Sequence, residues 1–283
     1  MNSPDYFSTF AKDTYSQKGE DGILEKIFEL IGSKNKWCVE FGAWDGKYCS
    51  NACNLVLNRG WSGVFIEPDT ARFNQLQNTY KYNPRVICKQ TLVGFEGVHK
   101  LDNILGDTPI PVSFDLLSID VDGNDYHTWN AVEMYKPRVV VIEFNPSIPD
   151  DIEFIQQKDM HVRQGCSLLA LYNLGKKKGY GLVATTYLNA IFVREEYAKS
   201  FDLPDKPPVL ANKASQTRLF QLYDGTVMLE GSSRLIWHDV HFDQKDLQIL
   251  PRLFRKHPDD MHPFVALLFR IWRKVHNWRR RIV

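Results

Sequence analysis

The stretch "WCVEFGAWDG", Trp37 to Gly46, decides how this chain is read. Its first half is a short apolar run of the kind that makes a strand buried on both faces. The run carries Glu40 near its end and passes into Gly42 and Gly46. Two closely spaced glycines after a strand let backbone approach a ligand where a Cβ would clash. Ala43, Trp44 and Asp45 separate them, so this is not GxGxxG, and a diphosphate at the next helix N-terminus is disfavoured. Glu40 and Asp45 favour a cationic ligand instead. A plain strand-turn-helix with no ligand fits the same residues.

Strand and helix alternate around this stretch. "SQKGEDGILEKIFELIG" (16–32) has Ile23, Leu24, Ile27, Phe28 and Ile31 at helical spacing, with Gly32 as the stop. Further buried-strand runs are "GVFIE" (63–67), stopped by Pro68, then "RVICK" (85–89), "FDLLSI" (114–119) and "RVVVIEF" (138–144). Helices fit at about 50–59, 70–82, 99–106 and 124–135, and "GCSLLALYNLGKKKGY" (165–180) reads as another. "GLVATTYLNAIFVR" (181–194) supplies two strands around Leu188-Asn189. Repeated β-α units with right-handed crossovers predict an α/β fold, Rossmann-like and doubly wound, with a hairpin completing one edge. Beyond Arg194 the order loosens. Residues 202–218 hold three prolines and read as a linker, and 219–231 reads as a hairpin around Asp224-Gly225. The expected division is 1–200, 201–263 and a basic amphipathic helix over 264–283.

Composition narrows the function. Of 283 residues, 43% are hydrophobic and 24% charged, with a net charge of +1, which fits a globular protein and not a general nucleic-acid binder. Residues 264–283 hold six Arg or Lys and no acid, so the rest of the chain carries a net −5 once those six are set aside. The five cysteines include no CxxC. Cys49 and Cys53 share one face of the expected helix, but no second Cys/His pair completes a zinc site, so buried reduced thiols are expected. No basic-then-apolar leader is visible, and no apolar run reaches the ~18 residues of a membrane span. A cytoplasmic protein is the expectation.

Two more strand ends carry chemistry. Glu67 closes the second strand, placed to accept the ribose hydroxyls of a nucleoside. A solvated acid before a turn proline explains it equally well in isolation. Taken with the loop at 42–46, it favours a nucleoside cofactor without a diphosphate, and S-adenosylmethionine meets that description with its cationic sulfonium. An NAD-dependent dehydrogenase is disfavoured by the absent GxGxxG. The other stretch is "LLSIDVDGNDYHTW" (116–129). Read as a calcium loop from Asp120, it puts Asp125 where glycine is needed and Ala131 where a bidentate Glu is needed, so that reading fails. Asp120 instead ends the fourth strand beside the ligand crevice, and Glu143 and Asn145 end the fifth. Asp122, Asn124 and Asp125 are expected to cap the following helix.

With these pieces in order, the chain resembles the class I S-adenosylmethionine-dependent methyltransferases, and more narrowly the FkbM-like group. The resemblance covers about residues 15–195 and rests on "YSQKGEDGIL", "VEFGAWDG", "GWSGVFIEPD", "LLSIDVDGNDYHTW" and "PRVVVIEFNPSIP". It implies a mostly parallel seven-stranded sheet with an antiparallel last strand. It places Glu40, Gly42, Ala43, Asp45 and Gly46 under the methionine part of the cofactor, Glu67 on the ribose, and Thr91 and Leu92, within Gln90 to Val93, against the adenine. Gln17 and Glu20 fall in a segment that closes over the cofactor, and Asp120 stands between cofactor and acceptor.

The implied reaction is methyl transfer to a hydroxyl, most naturally of a sugar in a glycan or glycoconjugate. A small natural-product hydroxyl, or a noncatalytic module that keeps the fold for interaction, are the alternatives. Transfer to oxygen needs in-line alignment and removal of the acceptor's proton. Asp120 is the candidate base, with His127 as its partner and Glu143 close by. Alternatively Asp120, Glu143 and Asn145 hold Mg²⁺ or Mn²⁺ against two acceptor oxygens. His161 and Arg163 lie where acceptors are contacted, and His238 and His241 form a weaker candidate metal pair. In the C-terminal segment, Phe264, Leu268, Ile271, Val275, Trp278 and Ile282 share one face, with Arg270, Arg273, Lys274, Arg280 and Arg281 mainly opposite. That helix is expected to pack on the domain or on a second copy of the chain. The other expectation is that it lies on an anionic membrane surface, the inner face for a cytoplasmic protein, with Trp272 and Trp278 near the headgroups.

Overall fold

The computed structural model describes residues 6–198, 201 and 215–279; most of the expected linker lies outside them, as do Arg280, Arg281 and Ile282. The chain divides into two compact units, Met1–Ala211 and Asn212–Val283, so the C-terminal helix belongs to the second unit.

The first unit is built on seven strands: β1 (Trp37–Phe41), β2 (Ser62–Ile66), β3 (Val86–Lys89), β4 (Leu116–Ile119), β5 (Val139–Glu143), β6 (Tyr180–Thr185) and β7 (Asn189–Arg194). Their order is β3-β2-β1-β4-β5-β7-β6. β1 to β5 pair in parallel, while β7 runs antiparallel to both β5 and β6. This is the doubly wound sheet that the β-α alternation predicts, with the antiparallel last strand that the family resemblance implies. Alternate residues explain its two apolar faces. Val39, Phe41, Ile66, Leu117 and Ile142 join a core on one side, and Cys38, Phe65, Leu116, Val139 and Val141 a core on the other. Helices α1 (Glu20–Ile31), α2 (Cys53–Arg59) and α3 (Thr70–Tyr80) cover the second side. Helices α4 (Leu101–Ile104), α5 (Asp125–Ala131) and α6 (Leu168–Lys177) cover the first, and a short α7 (Glu195–Ala198) follows β7.

Several helices are shorter than their periodicity implies, and side chains set the limits. α5 stops at Ala131 because the next amides turn away: Glu133 and Met134 N–H donate to the Asp102 carboxylate at 2.8 and 3.0 Å. α6 starts at Leu168 because the Ser167 hydroxyl accepts from Ala170 N–H. α2 starts only at Cys53, since Cys49 has a left-handed backbone (φ 56°). Cys49 and Cys53 therefore do not share a helix face. All five cysteines are free thiols, and burial pushes the Cys53 thiol up to about 12.

In the second unit, β8 (Thr217–Gln221) and β9 (Val227–Gly231) form the predicted hairpin around Asp224-Gly225. Two short strands, β10 (Arg234–Leu235) and β11 (Val240–His241), and the helix α8 (Pro263–Arg279) follow. Among the described residues, His238 and His241 join no third His, Cys, Asp or Glu in a cluster able to hold a metal.

The topology places the site. β1 is flanked by β2 on one side and β4 on the other, so the chain winds away from it in both directions. A crevice must open at the C-terminal ends of β1 and β4, where consecutive connections diverge.

Candidate active site

A cavity of about 510 Å³ lies at those strand ends, within the range of small-molecule sites. Of the residues expected to meet a cofactor, Gln17, Glu40, Gly42 and Ala43 line it from the N-terminal segment and the β1 loop. Glu67, Thr91, Leu92 and Asp120 line it from the ends of β2, β3 and β4.

Gln17 is held in place by carboxylates behind it. The buried Asp21 accepts three successive backbone N–H groups through one oxygen: Thr14 at 2.8 Å, Tyr15 at 2.7 Å and Ser16 at 2.9 Å. Asp13 accepts from the Ser16 hydroxyl and from Gly19 N–H. The neighbouring Glu20 accepts from Thr186 and Asn189 side chains, tying the segment to the β6-β7 hairpin. Glu20 itself is fully buried and does not reach the cavity. The segment expected to close over a ligand is thus a strap already fastened down. Asp21 was not marked by the sequence reading, and its only signal was an acid one residue into an amphipathic helix.

The glycines of the β1 loop serve packing more than ligand approach. A Cβ on Gly42 would sit 1.7 Å from the Asp120 carbonyl oxygen, so only glycine lets β1 turn against the end of β4. A Cβ on Gly46 would lie 2.6 Å from the Tyr80 ring, on the α3 side. Gly46 and Asp45 do not line the cavity; Asp45 accepts from Lys47 and Tyr48 N–H and shapes the turn. Both were expected at the cofactor, and both shape the loop instead. Between them Trp44, left-handed at φ 50°, lies 41% exposed at the cavity with the Arg72 guanidinium 3.6 Å above its ring.

Glu67 is the most organised acid of the site. It is 3% exposed, and its two oxygens accept from Trp44 N–H at 2.9 Å and Asp69 N–H at 3.0 Å. A carboxylate offers about four lone-pair sites, so one per oxygen stays free to accept from a vicinal diol. At the floor, Glu40 accepts from the Ser50 hydroxyl and from Asn51 N–H at 2.8 Å, while Asn51 also donates to Ser118. Burial pushes Glu40 up to about 7, with those hydrogen bonds working against the rise.

The acids at the ends of β4 and β5 form the remaining cluster. One oxygen each from Asp120, Asp122 and Glu143 lies within 4.8 Å of the others. Burial, and then the negative charges of Asp125, Asp122 and Glu40, raise Asp120 far above the ordinary carboxylate range. Glu143 is raised by burial and then by Asp120. Hard divalent cations take such oxygen sets, so these three residues could hold one. Asn145, the expected third ligand, is engaged elsewhere: its oxygen accepts from Ser147 N–H and hydroxyl, and its amide donates to Gln164 O. Asp122, left-handed at φ 54°, stands with Asp120 and Glu143 in its place, and the Arg163 guanidinium lies 3.9 Å from its carboxylate.

The capping expected of this turn also fails. No side chain caps α5 at Asn124; the Asp125 carboxylate instead folds back to accept from Val121 and Gly123 N–H. Asn124 pairs with Gln156, whose own oxygen accepts from Gln164 and Gly165 N–H. This buried amide pair fastens the 156–165 loop and with it Arg163, which does line the cavity; His161 does not. His127 is not Asp120's partner. Its Nε2 lies 2.9 Å from the Gln156 carbonyl oxygen, its ring meets Phe95 edge-on, and it does not line the cavity.

No protein-family model and no curated protein matches the chain. Solved structures do. The N-terminal domain of EvdMO1 with SAH bound is 11% identical, covering 63% of this chain and 82% of that one at a TM-score of 0.39. The O-methyltransferase from Bacillus cereus in complex with SAH is 18% identical, over 65% and 84%, at 0.43. The mitomycin 7-O-methyltransferase MmcR is 12% identical, over 60% and 53%, at 0.36. Likenesses this loose say nothing about the chemistry of this site.

Proposed function

We propose that this protein is an S-adenosylmethionine-dependent O-methyltransferase of the FkbM-like kind, acting on a sugar hydroxyl of a glycan or glycoconjugate. The observation that carries the cofactor is Glu67: a buried carboxylate with both oxygens aligned by backbone N–H, at the end of the strand beside a loop that lacks the GxGxxG spacing of a diphosphate site. The other lining groups fit the same molecule. In their ionised forms Glu40 and Asp120 put negative potential at the end of the cavity where a sulfonium belongs, and Thr91 and Leu92 line the wall expected to face adenine. Bound there, S-adenosylmethionine supplies an activated methyl group.

The chain's own residues then have separable tasks. Gln17, on its fastened strap, and Glu67 bind and orient. Asp120 takes the acceptor's proton at a carboxylate oxygen, a task suited to a carboxyl whose pKa has moved toward working pH. Arg163 lines the cavity, and the family resemblance alone assigns it to the acceptor. The sugar acceptor follows from the family resemblance alone.

Calorimetry with S-adenosylhomocysteine tests the cofactor: saturable binding is expected, and no binding removes the proposal. Asp120→Asn should abolish turnover while leaving that affinity within about threefold; retained turnover would end Asp120's role as base. A second reading adds Mg²⁺ or Mn²⁺ on Asp120, Asp122 and Glu143, favoured by the convergence of their oxygens within 4.8 Å. Paramagnetic resonance of added Mn²⁺ should then show one bound ion that Asp122→Ala releases; a free-ion spectrum with the wild-type protein excludes it.

A further inference from the structure

Helix α8 carries two apolar faces. Phe269, Trp272 and His276 form the half-buried one: Phe254 lies against the Phe269 and Trp272 rings at 5.5 and 5.7 Å, and His276 stacks on Trp272. Leu268, expected in the outward row, is half-buried. The outward row is Phe264, Leu267, Ile271, Val275 and Trp278, exposed by between 46% and 63%. At 100° per residue these five fall on one stripe, more than a third of a turn from the packed face. The helix also holds Arg270, Arg273, Lys274 and Arg279 and no acid. Lys274 and Arg270 border the stripe on one side and Arg279 on the other, and none of them is in an ion pair among the described residues.

We infer that α8 is a docking element for an anionic phospholipid surface, lying in the plane of the interface with its exposed stripe among the acyl chains. Apolar side chains gain by leaving water, the flanking cations gain by meeting anionic headgroups, and Trp278 sits where an amphipathic ring is favoured. A second copy of the chain fits less well. A stable interface takes about 20–30 residues a side, and a two-fold pairing of this stripe would set its own cations against each other. A nucleic acid would match the charge but leave the stripe in water. The helix lies on the surface and does not pass through it: no helix among the described residues is long and apolar enough to cross a membrane.

The test is sedimentation of the full chain with vesicles of phosphatidylcholine alone or mixed with phosphatidylglycerol. Binding is expected only with the anionic vesicles, and added salt should release it. Arg270→Gln and Lys274→Gln should each weaken binding about fivefold. Ile271→Glu with Trp278→Glu should abolish it with the circular dichroism unchanged, since both side chains point away from the packed face. No binding to anionic vesicles, equal binding to neutral ones, or wild-type binding by the Ile271→Glu/Trp278→Glu variant overturns the inference. So does a stripe variant that turns a dimer into a monomer in sedimentation velocity, which would give the face to a second copy.

Discussion

Glu67→Ala offers the sharpest test of the cofactor reading. Two of the carboxylate's four acceptor positions are taken by Trp44 and Asp69 N–H, leaving one on each oxygen for the two ribose hydroxyls. A hydrogen bond to a charged group contributes about 1.5 kcal/mol at the low end. Losing two such bonds therefore costs about 3 kcal/mol, roughly 150-fold in Kd. Calorimetry with S-adenosylhomocysteine should read that factor directly. Removing one hydroxyl from the ligand gives an independent check. A 2′-deoxy analogue should bind the wild type roughly 12-fold more weakly, which is the same 1.5 kcal/mol. On Glu67→Ala the analogue and S-adenosylhomocysteine should bind equally, because the 2′-hydroxyl's acceptor has already gone. Glu67→Gln is the harder variant to excuse: its amide nitrogen must face one of the two backbone donors, so affinity and melting temperature should fall together. A Glu67→Ala protein that binds S-adenosylhomocysteine within about threefold of wild type would refute the reasoning, whatever its stability.

Three further expectations rest on other carboxylates. Asp21→Ala removes a charged acceptor from three consecutive amides, so hydrogen exchange at Thr14, Tyr15 and Ser16 should quicken by about 10-fold or more; its affinity for S-adenosylhomocysteine should match that of Gln17→Ala. Unchanged protection there would mean the strap is held by something else. At the opposite pole of the sheet, Asp115 and Arg138 form a fully buried pair at 2.7 Å, with Asp115 also accepting from the 34–36 backbone. Asp115→Ala leaves the guanidinium buried and unpaired, so urea unfolding should show a loss of about 3–5 kcal/mol with cofactor affinity untouched. Glu40 sets a pH dependence of known sign. Its folded-state pKa of about 7 lies above its ordinary value of 4.5, so across that window the folded state holds a proton the unfolded state has lost. Stability from this group is therefore fully present below about 4.5 and falls as pH rises to about 7, by about 3 kcal/mol in all. Glu40→Gln should flatten that part of the urea-stability curve relative to wild type; parallel curves would show that Glu40 does not titrate there.

The sheet was legible in the sequence because burial on both faces leaves an unmistakable local mark. Runs such as "VVVIE" and "LLSI" have no polar alternation, and each ends where a polar residue or proline must stop the ladder. The place of Glu67 just past a strand end was legible for the same reason, and the fold brings it to the cavity. The antiparallel last strand came from the family resemblance, and the β6-β7 pairing agrees with it.

What only the tertiary structure decided are the side chains at turns, where no periodicity sets direction. Asp122 joins Asp120 and Glu143 where Asn145 was expected, since Asn145 finds Ser147 and Gln164 nearby. His127 is claimed by a carbonyl 29 residues further along the chain. Gly42, at the cavity, also answers to the Asp120 carbonyl on the neighbouring strand end. Asp21 became a fastening point only once the backbone of residues 14–16 had folded around it. Local pattern records which residues leave water, and so it determined the sheet and the acid at its edge. Hydrogen bonds between segments far apart in sequence leave no local pattern, so the partners of each site carboxylate existed only in the folded chain.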